Sequence, residues 1–116
     1  MKKSLIALAV LATTGAAFAQ SSVTIYGRID TSIGANKVNG TSTTQMFSGN
    51  LTTSRYGFRG TEDLGGGLKA NFVLESNMKM DTGANGGGST RFFDRAAWVG
   101  VAGSFGELRL GRQDTS

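Results

Sequence analysis

Chemistry in this chain has to come from a short list of residue types. The 116 residues contain no Cys and no His, which removes thiolate and imidazole nucleophiles and the usual zinc ligands. Glu62-Asp63 is a carboxylate pair, but it stands in the turn Glu62-Asp63-Leu64-Gly65-Gly66-Gly67. There water solvates both acids, and no nucleophile or lysine motif accompanies them. Gly65-Gly66-Gly67 and Gly86-Gly87-Gly88 lack the Gly-Lys-Ser/Thr continuation of a phosphate loop, and neither opens a helix. No catalytic residue, cofactor or metal is expected. What remains is Coulombic: Arg28 and Asp30, Arg55 and Arg59, Lys69 and Glu75, Arg95 and Arg112. Their neighbours are Ile, Phe, Leu and Tyr, so these charges line one face of a strand and act on ions rather than on bonds.

The elements that hold them are strands. No segment spaces its apolar residues at i, i+3, i+4, i+7, whereas period-two runs recur. The first is Val23 to Ala35, with Val23, Ile25, Ile29 and Ile33 opposite Tyr26, Arg28 and Asp30. A polar loop from Asn36 to about Thr53 follows, with Asn39-Gly40 as a turn signal. Further runs are Ser54 to Thr61, Leu68 to Met80, Phe93 to Ala102 and Glu107 to Gln113. The connections alternate long, short, long, short, the rhythm of a membrane barrel with long loops on one side and short turns on the other. Two runs of thirteen residues exceed the usual soluble strand of about five or six, and a tilted bilayer crossing takes about nine to eleven.

The leader MKKSLIALAVLATTGAAFAQ has a basic start at Lys2 and Lys3, an apolar stretch from Leu5 to Ala12, and Ala17-Phe18-Ala19 before Gln20. That is the layout of a signal peptide over 1–19, cut between Ala19 and Gln20. Its apolar run is too short for a helical anchor, which needs about 20 residues. Removing it takes two basic residues from a net charge of +4 and leaves no basic run, so nucleic acid is not an expected partner. Asn39-Gly40-Thr41 and Asn50-Leu51-Thr52 match the glycosylation pattern, a three-residue pattern that arises readily by chance.

The charged face must meet water. Each Lys or Arg turned to lipid near the midplane costs about 2–4 kcal/mol, and Arg28, Arg55, Arg59, Lys69 and Lys79 share one face. Counting about 2.3 Å of height per residue from the short turns puts Arg28, Arg55, Glu75 and Arg95 at roughly 14–18 Å, mid-wall. Asp30 is close by, and Arg59 and Lys69 sit lower in the lumen. Counting from Arg95 puts Phe93, Ala97, Val99 and Val101 inward. Asp94, Ala96, Trp98, Gly100 and Ala102 then point outward, the small ones where another subunit's wall would approach. In the last run strict alternation turns Arg109 inward and Arg112 outward, unless a bulge at Gly111 re-aims it.

SSVTIYGRID, SRYGFRGTEDLGGGLKANFVLES and RAAWVGVAGSFGELRLGRQ, in that order, resemble the amino-terminal part of the Gram-negative general diffusion porins. The resemblance implies an all-β, antiparallel transmembrane barrel, 16-stranded and trimeric in the full-length family. Outer-membrane lipids would surround it, and small hydrophilic solutes and ions would pass without catalysis. By motif, Arg28, Arg55 and Arg112 match the basic side of the family's constriction, and Glu75 a lumen carboxylate. This places Arg112 inside the lumen. Residues 20–116 then hold about the first five strands, an open partial barrel that stops where the third loop begins. Such a piece alone is expected to aggregate through its edge. The competing expectation is a secreted soluble β-sandwich, an adhesin or carbohydrate-binding module, with one face buried.

Overall fold

The computed structural model describes residues 21–86, 88 and 90–113; the leader, its Ala19–Gln20 junction and the last three residues lie outside them. The described chain forms seven strands: β1 (Ser22–Arg28), β2 (Thr31–Val38), β3 (Thr41–Ser48), β4 (Arg55–Gly65), β5 (Leu68–Asn77), β6 (Ala96–Gly103) and β7 (Gly106–Arg112). Five make one sheet in the order β1-β4-β5-β6-β7, and β2 and β3 make a separate ribbon. Every pairing is antiparallel. The short turns are Gly66-Gly67 and Ser104-Phe105, and the long connections leave from the opposite end of the sheet.

The ribbon is a departure from expectation. The first run is two strands rather than one, and the polar segment from Asn36 onward pairs instead of looping. Asn39 and Gly40, with φ of 50° and 85°, turn the chain between Val38 and Thr41. Positive φ at both central residues is the turn whose twist suits a two-residue hairpin. Gly40→Val should therefore cost about 1–3 kcal/mol locally. The check is amide exchange, which should quicken at Val38 and Thr41 and leave β4 and β5 unchanged.

The break between β1 and β2 has a local cause. The Asp30 N–H donates to Ser54 Oγ (2.9 Å), and its carbonyl accepts from Gly49 N–H (2.9 Å). Both backbone groups are thus spent on the loop rather than on β4. Similarly, β5 stops at Asn77 because Met78 N–H goes to the Ser54 carbonyl and Lys79 N–H to Ala84. Met78 and Met80 therefore leave the sheet.

No hydrophobic residue is buried among those described; the side chains that are fully covered belong to Ser54 and Ser76. Ile25 is 74% exposed, Leu110 65% and Val99 55%. The register collects Val23, Ile25, Phe58, Phe72, Leu74, Ala97, Val99, Val101, Leu108 and Leu110 on one face. A soluble sandwich would cover that face with a second sheet; here Val23, Ile25, Val99, Leu108 and Leu110 lie open, and Phe58, Phe72 and Leu74 are half-exposed.

Candidate functional site

The other face carries the charge. Cross-strand rows, read from the register, place Arg28, Arg55 and Asn77 together, then Tyr26, Gly57, Glu75 and Ala96. Next come Thr24, Arg59, Val73, Trp98 and Gly111, then Ser22, Thr61, Asn71, Gly100 and Arg109. Lys69 follows beside Asp63 and Ala102. Arg28 and Arg55 are direct cross-strand partners, an arrangement of like charges that works against the sheet. Among the described residues neither is paired with a carboxylate; Arg28 donates to Thr52 Oγ1 at 3.5 Å.

Beside them a network runs across three strands. Tyr26 Oη donates to Glu75 Oε2 (2.7 Å), and Arg95 Nε meets Glu75 Oε1 at 2.5 Å. Arg95 Nη1 also donates to Asn77 Oδ1 (3.3 Å). Asp94 accepts from Asn77 N–H (2.7 Å) and Asn77 Nδ2 (2.8 Å), and so fastens the loop between β5 and β6 to the end of β5. Partial burial acts to raise the Asp94 carboxyl, but the donors of Asn77 and Ser76 outweigh it and hold it below its ordinary range.

A second network lies toward the short turns. Arg109 pairs with Glu107 (2.8 Å) and covers the Trp98 ring, 4.1 Å from its centroid. Glu107 Oε1 accepts from Asn71 Nδ2 (3.2 Å), and Thr61 donates to Asn71 Oδ1 (2.9 Å). Arg59 lies 5.3 Å from the Tyr26 ring centroid. Thr24, Arg59, Asn71, Trp98, Glu107 and Arg109 help line an open hollow of about 360 Å³.

Of the anticipated residues, Arg28, Arg55, Arg59, Lys69 and Glu75 share the charged face by register, and Arg95 joins them through Glu75. The first row ends the ladder of β1, β4 and β5, so Arg28 and Arg55 sit where the long loops begin. Asp30 is engaged elsewhere: its carboxylate accepts from Leu51 N–H (2.9 Å) and Thr52 N–H (2.7 Å). Arg112 pairs with Ala97 on the apolar side of the ladder, and its guanidinium donates to the Phe93 carbonyl (3.0 Å).

The faces of β6 are the reverse of the expectation. Trp98, Ala96, Gly100 and Ala102 lie on the charged face, while Ala97, Val99 and Val101 lie on the apolar one. The count from Arg95 fails because β6 begins at Ala96, so residues 93–95 do not alternate. This also removes Ala96, Gly100 and Ala102 from the outward patch. One feature had no sequence signal. Tyr56, Phe58, Phe93 and Phe92 form a chain of edge-to-face contacts at the loop end of the apolar face, with exposed Phe105 at the turn end. Aromatic residues at the two ends of an apolar band match the girdles of barrel walls.

One open antiparallel sheet, polar and basic on one face, uncovered and apolar on the other, is the wall of a transmembrane β-barrel. The Gram-negative porin family matches residues 4–116, and the chain belongs to that family. Outer membrane porin protein 32 of Delftia acidovorans is 54% identical over 114 residues, covering 97% of this chain and 32% of that protein. An outer membrane porin protein of Bordetella pertussis is 45% identical over 130 residues, covering 97% and 34%. Major outer membrane protein P.IB of Neisseria meningitidis serogroup A is 38% identical over 118 residues, again 97% and 34%. Among solved structures, the anion-selective porin from Comamonas acidovorans matches with a TM-score of 0.62 and 42% identity, over 81% of this chain and 28% of that one. The chain thus spans about a third of the length of these curated relatives.

Proposed function

We propose that this chain forms part of the wall of an outer-membrane porin, a water-filled channel through which small hydrophilic solutes and ions diffuse passively, with a preference for anions. In this reading the leader over 1–19 exports the protein, outer-membrane lipids contact the apolar face, and the closed barrel assembles as a homotrimer. Arg28, Arg55, Glu75 and Arg95 line the pore, with Arg59 and Lys69 further along it.

The observation that carries the reading is the pairing of Arg28 with Arg55 across β1 and β4, without a carboxylate partner among the described residues, on the face opposite an uncovered apolar sheet. Adjacent guanidiniums repel, and the arrangement is useful where a passing anion neutralises both. The names of the relatives and of the anion-selective neighbour support it. Reconstituted in planar bilayers, the full-length protein that contains this chain should conduct. Arg28→Gln together with Arg55→Gln should lower its anion-to-cation permeability ratio by about two- to fivefold, given about 1 kcal/mol between unit charges 4 Å apart in water. An unchanged reversal potential would sink the role of this pair.

A further inference from the structure

The charged face contains two places where a side chain crosses an entire strand to reach its partner. Tyr26 on β1 and Glu75 on β5 are not neighbours; β4 lies between them, and the three meet in one row at Tyr26, Gly57 and Glu75. Adjacent strands are about 4.8 Å apart, so Tyr26 must lie flat over β4 to donate its hydroxyl to Glu75 at 2.7 Å. It can do so because residue 57 has no side chain. A Cβ there would come within 2.7 Å of both Tyr26 Cζ and Tyr26 Oη, and within 2.8 Å of the Leu74 carbonyl. Glu107 repeats the device, reaching from β7 across β6 to Asn71. It passes over Gly100, where a Cβ would crowd Arg109 Cγ (3.2 Å) and Glu107 Oε1 (3.3 Å).

The consequence is electrostatic. Tyr26 touches two charged systems from one position. Its hydroxyl holds Glu75, which in turn holds Arg95, and its ring faces the Arg59 guanidinium. Two of the basic groups on this face are therefore held against partners on the wall, whereas Arg28 and Arg55 form no ion pair among the described residues. A guanidinium held flat against a carboxylate presents far less field to a passing ion than a free one.

We propose that Gly57 and Tyr26 are positioning residues for the charge of this wall. The gap at Gly57 lets Tyr26 cross β4, and Tyr26 then anchors Arg95 through Glu75 and draws the exposed Arg59 guanidinium over its ring. Neither residue is charged at neutral pH, yet both set how much positive charge reaches the water. The inference rests on the channel reading and extends it to the residues that tune selectivity.

The test is the reversal potential of the full-length protein in planar bilayers under a KCl gradient. Tyr26→Phe keeps the ring over Gly57 and removes the bond to Glu75; it should raise the anion-to-cation permeability ratio by about 1.5- to 2-fold. Gly57→Ala displaces the ring itself, frees Arg59 as well, and should raise the ratio by about two- to fourfold. In a Glu75→Gln background Tyr26→Phe should add nothing, because the group it positions is gone; such non-additivity identifies coupling between two residues. An unchanged ratio in Tyr26→Phe, or the same shift with and without Glu75, overturns the inference. Should Gly57→Ala fail to assemble, Tyr26→Phe alone decides. Absence of any conductance from the unsubstituted full-length protein would instead overturn the channel reading and, with it, this one.

Discussion

Val99→Arg should block assembly of the barrel wall in lipid, while Val73→Arg should leave it intact. The two valines are register neighbours of Phe72 and Trp98, one row apart near the middle of the ladder. Composition cannot tell them apart, since both are β-branched, apolar and on adjacent strands. The register separates them. Val99 shares its row with Phe72, Gly60, Val23 and Leu110 on the apolar face. Val73 shares its row with Arg59, Thr24 and Trp98 on the charged one.

An arginine on the lipid side near the bilayer midplane costs about 2–4 kcal/mol, and much less near the interfaces. Against a typical total stability of about 5–15 kcal/mol, that is a large share from one side chain. On the water side the same group keeps its hydration, so Val73→Arg should cost under about 1 kcal/mol. It also adds a positive charge beside Arg59. Urea unfolding of the full-length protein in phospholipid vesicles measures both. Equal losses for the two variants would mean that β6 is turned the other way, as counting forward from Arg95 predicts. A loss confined to Val73→Arg would exchange the two faces altogether.

The same two strands mark where the sequence could be read and where it could not. β4 and β5 were legible because Tyr56, Phe58, Phe72 and Leu74 alternate with Arg55, Arg59, Asn71 and Glu75 over many residues, and period two assigns faces by itself. β6 was not. Its only charges, Asp94 and Arg95, precede the first strand residue, and a count anchored outside a strand can invert every face that follows. The β2–β3 ribbon carried the strongest short hairpin signal, Asn-Gly. Its flanks, however, are Thr, Ser, Asn and Gln rather than alternating apolar residues, so composition pointed to a loop. The crossings over Gly57 and Gly100 were illegible in principle. They depend on which residues of three strands share a row, and register between distant strands is not written in any one of them. Asp30 was legible as a strand charge and proved to be a loop anchor, because its partners Leu51 and Thr52 are backbone groups that sequence patterns do not show.

Asp30→Ala should therefore release the segment between the ribbon and β4 rather than alter the pore wall directly. The half-buried carboxylate accepts from the backbone of Leu51 and Thr52. Ser54 Oγ, itself fully buried, donates to the Asp30 carbonyl (3.0 Å), and the Ser54 carbonyl then takes the Met78 N–H. Asp30 thus sits at the start of a chain of bonds that joins both long connections. Removing the carboxylate leaves its backbone bonds possible but strips two donors of their acceptor. Hydrogen bonds to a charged group contribute about 1.5–3 kcal/mol each; discounted for partial exposure, the pair should amount to about 2–3 kcal/mol of local stability. Since 1.4 kcal/mol is about tenfold, amide exchange at Leu51 and Thr52 should quicken by about 30- to 100-fold. Gly49 and Met78 should follow more weakly, and Phe58 and Leu74 should not change. Asp30→Asn, which keeps one acceptor oxygen, should fall between. Exchange at Leu51 and Thr52 that is indifferent to both substitutions would return Asp30 to the water-facing wall, and the reversal potential of Asp30→Asn would then have to move with it.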